Sequence, residues 1–187
     1  MNALHRLSLP LVRGKPRTLL INPTITSRSG TRFPLAILHL AAALDRLGES
    51  HLIDGNVDRD TVDAVLRCLA EQHFDAVGVS VMGGPQVAPA IAISRAIREH
   101  HPDVAIIWGG YFPTLYPDTT LAASYVDYAV RGQAEETLPE LIAAITSASA
   151  PDLGKIGGLS WRRDGEVVHI PNRRFNITDP GKVLPYD

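Results

Sequence analysis

Ala76-Val77-Gly78-Val79-Ser80-Val81 is a continuous, β-branched apolar run with a glycine and a serine inside it. A strand with one wet face would alternate polar and apolar residues. Continuity instead implies burial on both faces, as at the centre of a parallel sheet covered by helices on each side. Working outward, short apolar runs recur at Thr18-Leu19-Leu20-Ile21, His51-Leu52-Ile53, Val104 to Trp108 and Tyr128-Ala129-Val130. Segments of helical period separate them, and this alternation predicts an α/β, doubly wound, five-stranded parallel sheet.

The helices carry their own punctuation. Pro34 suits a first helical position, the stripe Ile37, Leu40, Ala41 and Leu44 predicts a helix over Leu35 to Leu47, and Gly48 suits its C-cap. Val62, Val65, Leu66 and Leu69 share one face of a second helix capped by Asp60 or Thr61. A third covers Val87 to His100, with Pro89 tolerable in its first turn. Gly109 to Pro117 reads as a Gly-, Pro- and aromatic-rich loop, followed by a short helix capped within Asp118-Thr119-Thr120. Thr137 is the expected cap of a last helix whose Leu138, Leu141, Ile142 and Ile145 face inward.

Residues 18–146 therefore read as the core domain, residues 1–17 as an N-terminal extension, and residues 147–187 as a linker, hairpin and extended tail. In that last part Leu159 to Arg163 and Glu166 to Ile170 flank Asp164-Gly165, a strong hairpin signal. The ending at Leu184-Pro185-Tyr186-Asp187 contains no element that would seal a domain, so the chain reads as cut short.

At 187 residues the chain can bury roughly 70% of its unfolded surface. With 18 Lys and Arg against 20 Asp and Glu it has no basic field for a phosphate backbone, so nucleic acid is not an expected partner. No apolar run is long enough to span a bilayer and residues 1–17 lack a secretory pattern, so no membrane partner and a cytoplasmic setting are expected. Cys68 is the single cysteine, which rules out an internal disulfide or a cysteine-held cluster within this sequence.

In a doubly wound sheet the ligand sits at the carboxyl edge of the strands, near the point where the winding reverses. The loops arriving there are Asn22 to Pro34, Val81 to Pro85, Gly109 to Thr114 and Arg131 to Glu136. Gly83, Gly84, Gly109 and Gly110 would let a ligand approach backbone N–H groups, although such glycines also make ordinary tight turns. Trp108, Tyr111 and Phe112 add aromatic area there, with core packing the simpler reading of Trp108. Several chemistries fail on residues: GxxxxGK[ST] and GxGxxG are absent, and Ser80 stands where a phosphoacceptor receiver needs Asp. His100-His101 reads as a solvated helix end, His39 and His51 as structural histidines, and Glu135-Glu136 as acids favoured by a helix dipole. No catalytic residue and no protein metal ligand is assigned.

The combination resembles the cobalamin-binding domain at the amino-terminal end of cobalamin-dependent radical S-adenosylmethionine enzymes, over about Thr18 to the end of the chain. Its carriers are Ile21-Asn22-Pro23, Phe33 to Leu44, Ile53-Asp54-Gly55-Asn56, Gly78 to Gln86, Trp108-Gly109-Gly110-Tyr111-Phe112-Pro113, Val130-Arg131-Gly132, and Gly158-Leu159-Ser160-Trp161-Arg162 followed by Asp164-Gly165. The resemblance implies a flavodoxin-like, Rossmann-like fold with a C-terminal β-hairpin connector, and cobalamin as cofactor. Its nucleotide tail would enter a slot lined by Ser80, Val81, Met82 and Gly84, flanked by Gly109 and Gly110, with Tyr111, Arg131 and Glu135 at the rim. Asn22, Pro23, Thr24, Gly83 and Gly132 complete the implied cofactor-binding set.

Two departures are plain. The spacing Asp-x-His-x-x-Gly, which places a histidine on cobalt, is absent. The expectation is therefore cobalamin with its base displaced and the loop Thr24 to Arg32 covering its lower face. After the fifth strand the family's Arg-Gly-Glu-Gly-Glu is replaced by Arg131-Gly132-Gln133-Ala134-Glu135. The resemblance further implies methyl transfer, in which cobalt accepts a methyl group from S-adenosylmethionine and offers it to a substrate radical. S-adenosylmethionine and a 4Fe-4S cluster would belong to a radical domain in the same or a partner chain, because one cysteine cannot supply CxxxCxxC. Rival readings are a flavin module using the loop Thr24 to Thr31, and a non-catalytic interaction domain. Gly110→Val is expected to leave the fold intact and abolish cobalamin binding.

Overall fold

The computed structural model describes residues 14–25, 33–58 and 60–174. Residues 26–32 of the expected loop Thr24 to Arg32, most of the N-terminal extension and the end of the tail lie outside the described residues. Strands β1 (Arg17–Asn22), β2 (Glu49–Asp54), β3 (Ala76–Ser80), β4 (Ala105–Gly109) and β5 (Tyr128–Val130) are parallel neighbours in the order β2-β1-β3-β4-β5. The winding reverses between β1 and β3, as a doubly wound sheet of this order requires.

Helix α1 (Leu35–Leu44) and helix α6 (Thr137–Thr146) cover one face, where Leu20, Ile37, Leu44, Ile107, Val130, Leu138 and Leu141 are buried together. Helices α2 (Thr61–Glu71) and α3 (Val87–His100) cover the other, packing Val65, Leu69, Ile93 and Ile97 against Leu19, Val77, Val79 and Ile106. Both faces being dry explains why β3 carries no alternation. Trp108 sits in this second core and donates from Nε1 to Ser94 Oγ at 2.9 Å, so its role is packing.

The parallel α/β architecture is as expected, but the sheet has seven strands rather than five. The hairpin strands β6 (Leu159–Arg163) and β7 (Glu166–His169) do not stand apart as a connector. Strand β6 pairs antiparallel with β5, Ala129 opposite Ser160, and β7 forms the outer edge. The free edge of β5 would otherwise leave backbone donors and acceptors unpaired, and the hairpin satisfies them. Its turn has Asp164 at φ 54° and Gly165 at φ 86°, the left-handed pair of a tight hairpin.

Local differences have local causes. Asp60 caps α2, accepting from Asp63 N–H at 3.0 Å, as expected. Pro34 precedes α1 instead of opening it, and that helix stops at Leu44. Gly48 is required by close approach, because a Cβ there would lie 1.9 Å from the Pro16 carbonyl oxygen. Within the expected loop Gly109 to Pro117 the chain forms a short helix α4 (Tyr111–Leu115), followed directly by α5 (Pro117–Ala122). Thr137 does not cap α6; its hydroxyl donates instead to the Gly157 carbonyl at 2.8 Å. Among the described residues no helix is long and apolar enough to cross a membrane.

Candidate cofactor-binding site

Side chains of a strand alternate between faces, so the positions of β3 and β4 that look toward α1 and α6 are 78 and 80 on one strand and 107 and 109 on the other. Three of those four are Gly78, Ser80 and Gly109. Where four ordinary side chains would fill the space between sheet and helices, a cavity of about 230 Å³ opens. Its floor is Gly78, Ser80, Ile107, Gly109 and Val130, one wall is Ala36, Ile37 and Leu40 of α1, and the other is Ala134 and Leu138. Gly110, Gly132, Gln133 and Glu135 also line it.

The glycines differ in what requires them. At Gly109 an added Cβ would meet nothing closer than the Val130 carbonyl oxygen at 3.9 Å, so packing permits a side chain there. What a side chain would take is the volume of the slot. Gly110 is bound by backbone geometry: its φ is +100°, and a Cβ would lie 2.9 Å from the Val81 carbonyl oxygen. The expectation that Gly110→Val leaves the fold intact is therefore corrected, since valine is strained in that region and collides with backbone.

A second feature ties the loops together at the switch point. Gln86, 2% exposed, donates from Nε2 to Asn22 Oδ1 at 2.9 Å and to the Pro23 carbonyl at 2.7 Å, and its Oε1 accepts from Met82 N–H at 2.9 Å. Asn22 Nδ2 donates to Asp54 Oδ1 at 2.8 Å, and that oxygen also accepts from Asn56 N–H and Nδ2 at 3.0 Å. Thr24 Oγ1 donates to the Gly55 carbonyl at 2.7 Å. The ends of β1, β2 and β3 are thus joined by side-chain amides and one carboxylate.

Of the residues singled out in the sequence, the slot brings together Ser80, Gly109, Gly110, Gly132 and Glu135. Asn22, Pro23 and Thr24 lie in the polar network beside it. Val81 is fully buried on the α2 and α3 side, with its N–H donating to the Gly109 carbonyl at 2.8 Å. Gly83 and Gly84, at φ 112° and 55°, turn the chain into α3, while Met82 and Tyr111 are 60% and 65% exposed. Arg131 points to the hairpin: Nη2 donates to the carbonyls of Leu159 and Ile170, and burial pushes its pKa below the ordinary guanidinium range. Sequence reasoning passed over Gly78, whose signal was a glycine inside an apolar strand, and Gln86, an amide at the start of an otherwise apolar helix.

The fold and slot define a cofactor-holding α/β module open at the carboxyl edge of its sheet, and comparison with known proteins gives its family. The B12 binding domain family model matches residues 21–142, and the chain belongs to that family. The anaerobic magnesium-protoporphyrin IX monomethyl ester cyclase of Synechocystis is 27% identical over 81% of this chain, and that of Rubrivivax gelatinosus 26% over 83%. The chain spans 32% and 29% of the lengths of these relatives. Among solved structures, the radical S-adenosylmethionine methyltransferase TsrM of Kitasatospora setae superposes with a TM-score of 0.70 and 27% identity, covering 83% of this chain and 30% of that one. The cobalamin-dependent S-adenosylmethionine radical enzyme OxsB, solved with aqua-cobalamin bound, superposes with a TM-score of 0.73 at 23% identity, covering 86% of this chain and 23% of its own.

Family membership makes cobalamin the cofactor, as the sequence reading expects, and the residues present fit it. The corrin ring is too broad for a cavity of about 230 Å³, whereas the benzimidazole base at the end of its nucleotide tail is flat, slender and mostly apolar. The slot matches that shape with aliphatic walls, one hydroxyl from Ser80 and one carboxylate from Glu135. Outside it, the large apolar side chains of Phe33, Val57, Met82, Tyr111 and Leu115 are exposed, all on segments that follow β1, β2, β3 and β4. An apolar rim of this kind suits the face of a broad ring.

Proposed function

We propose that this chain is the cofactor-holding part of a cytoplasmic cobalamin-dependent radical S-adenosylmethionine enzyme, and that the enzyme transfers a methyl group. The observation that carries the reading is the slot floored by Gly78, Ser80 and Gly109, a volume left open although packing would accept a side chain at Gly109. Bound cobalamin supplies a metal able to take up and release a methyl group; the protein supplies binding, orientation and exclusion of water. S-adenosylmethionine and its 4Fe-4S cluster belong, in this reading, to a radical domain in the same or a partner chain, because Cys68 is alone.

In the slot, Gly109 and Gly110 permit close approach, Ser80 offers a hydroxyl, and Ile37, Leu40 and Leu138 enclose the base. The network of Gln86, Asn22 and Asp54 fixes the end of β1 and Pro23 at the same edge of the sheet. Methyl transfer is favoured over ring closure by the likeness to a methyltransferase over most of this chain, although the curated relatives are named as cyclases.

The test is to mix the chain with hydroxocobalamin, separate it on a sizing column and record the visible spectrum of the protein peak. A red peak with a base-displaced spectrum is expected. A colourless peak overturns the assignment of the slot, and a yellow, fluorescent protein as purified would place a flavin there instead.

A further inference from the structure

The chain leaves the hairpin through a group of bonds that also holds one wall of the slot. Residues 132–135 and Leu138 form that wall, yet they follow the last residue of β5 and have no strand partner. The start of α6 has no side-chain cap of its own. Support comes from the other end of the sequence. Arg173 Nε donates to Thr137 Oγ1 at 3.1 Å, Nη1 pairs with Glu136 at 3.2 Å, and Nη2 pairs with Glu140. Thr137, wholly buried, donates its own hydroxyl hydrogen bond to the Gly157 carbonyl.

The backbone repeats the linkage. Arg131 N–H donates to the Gly158 carbonyl at 2.8 Å, and Gly158 N–H donates to the Pro171 carbonyl at 2.9 Å. Gly158 has φ +80° and a Cβ there would lie 2.9 Å from the Arg131 carbonyl oxygen; one at Gly157 would lie 3.0 Å from Arg173 Cγ. Two adjacent glycines are what allow the 131–137 segment, the 157–158 turn and the exit at Arg173 to meet this closely. An arginine fork reaching two carboxylates and a hydroxyl fixes geometry better than a lone surface pair, and Arg173 is only 28% exposed at its side chain.

We propose that Arg173 is a positioning residue for the cofactor slot: through Thr137, Glu136 and Glu140 it holds the wall 132–138 at the spacing the cofactor needs. It lines no part of the cavity itself. The inference rests on the reading that the slot receives cobalamin, and its consequence is that the path of the chain beyond the hairpin is mechanically joined to cofactor affinity.

Hydrogen exchange on the cofactor-free chain tests the brace, and spectral titration with hydroxocobalamin tests its consequence, using Arg173→Ala and the charge exchange Arg173→Glu with Glu140→Arg. In Arg173→Ala, amides 132–138 should exchange about tenfold faster with β1 and β3 unchanged, and hydroxocobalamin should bind about tenfold more weakly. The charge exchange should recover most of both. A purely structural contribution would instead lower the unfolding midpoint and speed exchange throughout the sheet, with no recovery specific to 132–138. Unchanged exchange at 132–138, or faster exchange with unaltered affinity, overturns the proposal. If the unaltered chain fails to bind hydroxocobalamin, the reading of the slot falls, and the exchange comparison alone decides whether the brace exists.

Discussion

Gln86 Nε2 donates to Asn22 Oδ1 at 2.9 Å, joining the start of α3 to the end of β1 across 64 residues of sequence. This single amide spans the point where the sheet reverses its winding, and every polar atom it carries is used. In Gln86→Leu, Met82 N–H loses its acceptor while Asn22 and Pro23 lose a donor, all at a site that is 2% exposed in the native protein. Leaving such groups unpaired should cost about 2–4 kcal/mol in urea unfolding. A loss under about 1 kcal/mol would mean that water replaces the amide at no penalty.

Gly109→Val and Gly110→Ala should separate slot from scaffold. The first adds bulk where the nearest atom to a Cβ is 3.9 Å away, so the chain should fold normally and bind hydroxocobalamin at least about a hundredfold more weakly. The second imposes a side chain at φ +100° and should lower stability by about 1–3 kcal/mol. A Gly109→Val protein with native affinity would remove the slot from the binding site.

Arg98 provides a control at the opposite edge of the sheet. Its Nη2 pairs with Asp127 at 2.5 Å, its Nη1 donates to the Pro102 carbonyl at 2.6 Å, and Asp127 in turn accepts from Ile106 N–H at 2.8 Å. Arg98→Ala should cost about 1.5–3 kcal/mol of stability without changing cobalamin affinity. Weakened binding at unchanged stability would show coupling between the two edges.

Alkaline pH should destabilise the fold through Tyr128. Burial, assisted by the charge of Asp127, raises its phenol pKa above the ordinary value. Between about pH 10 and the raised folded value the unfolded chain binds fewer protons than the native one, so stability falls as pH rises. The slope of unfolding free energy against pH should be shallower above about pH 10 in Tyr128→Phe than in the unaltered chain. Identical slopes would contradict the burial argument.

The parallel sheet was legible because β3 has no polar alternation, as a strand covered by helices on both faces requires, and because helical-period segments separate the apolar runs. Capping by Asp60 and the turn at Asp164-Gly165 were legible too, since each depends on neighbours a few residues away. The slot was half legible. Ser80 and Gly109 could be named as strand-end residues, but that they lie side by side follows from the register pairing one with the other. Gly78 joins them only because the pleat turns it to the same face.

The order of residues along the chain was enough for the class of fold, the carboxyl edge as the place to look, and the family resemblance carried by its glycine-flanked strands. The first two follow from the apolar pattern and spacing along the chain, and the third is a likeness of motifs. Only the tertiary structure decided that the hairpin extends the sheet to seven strands, that Arg131 turns toward it, that Gln86 pins the switch point and that Arg173 braces the slot wall. Each depends on partners 28 or more residues apart in sequence, and a hydrogen-bonding side chain does not carry the direction of its partner until the backbone has brought the two together.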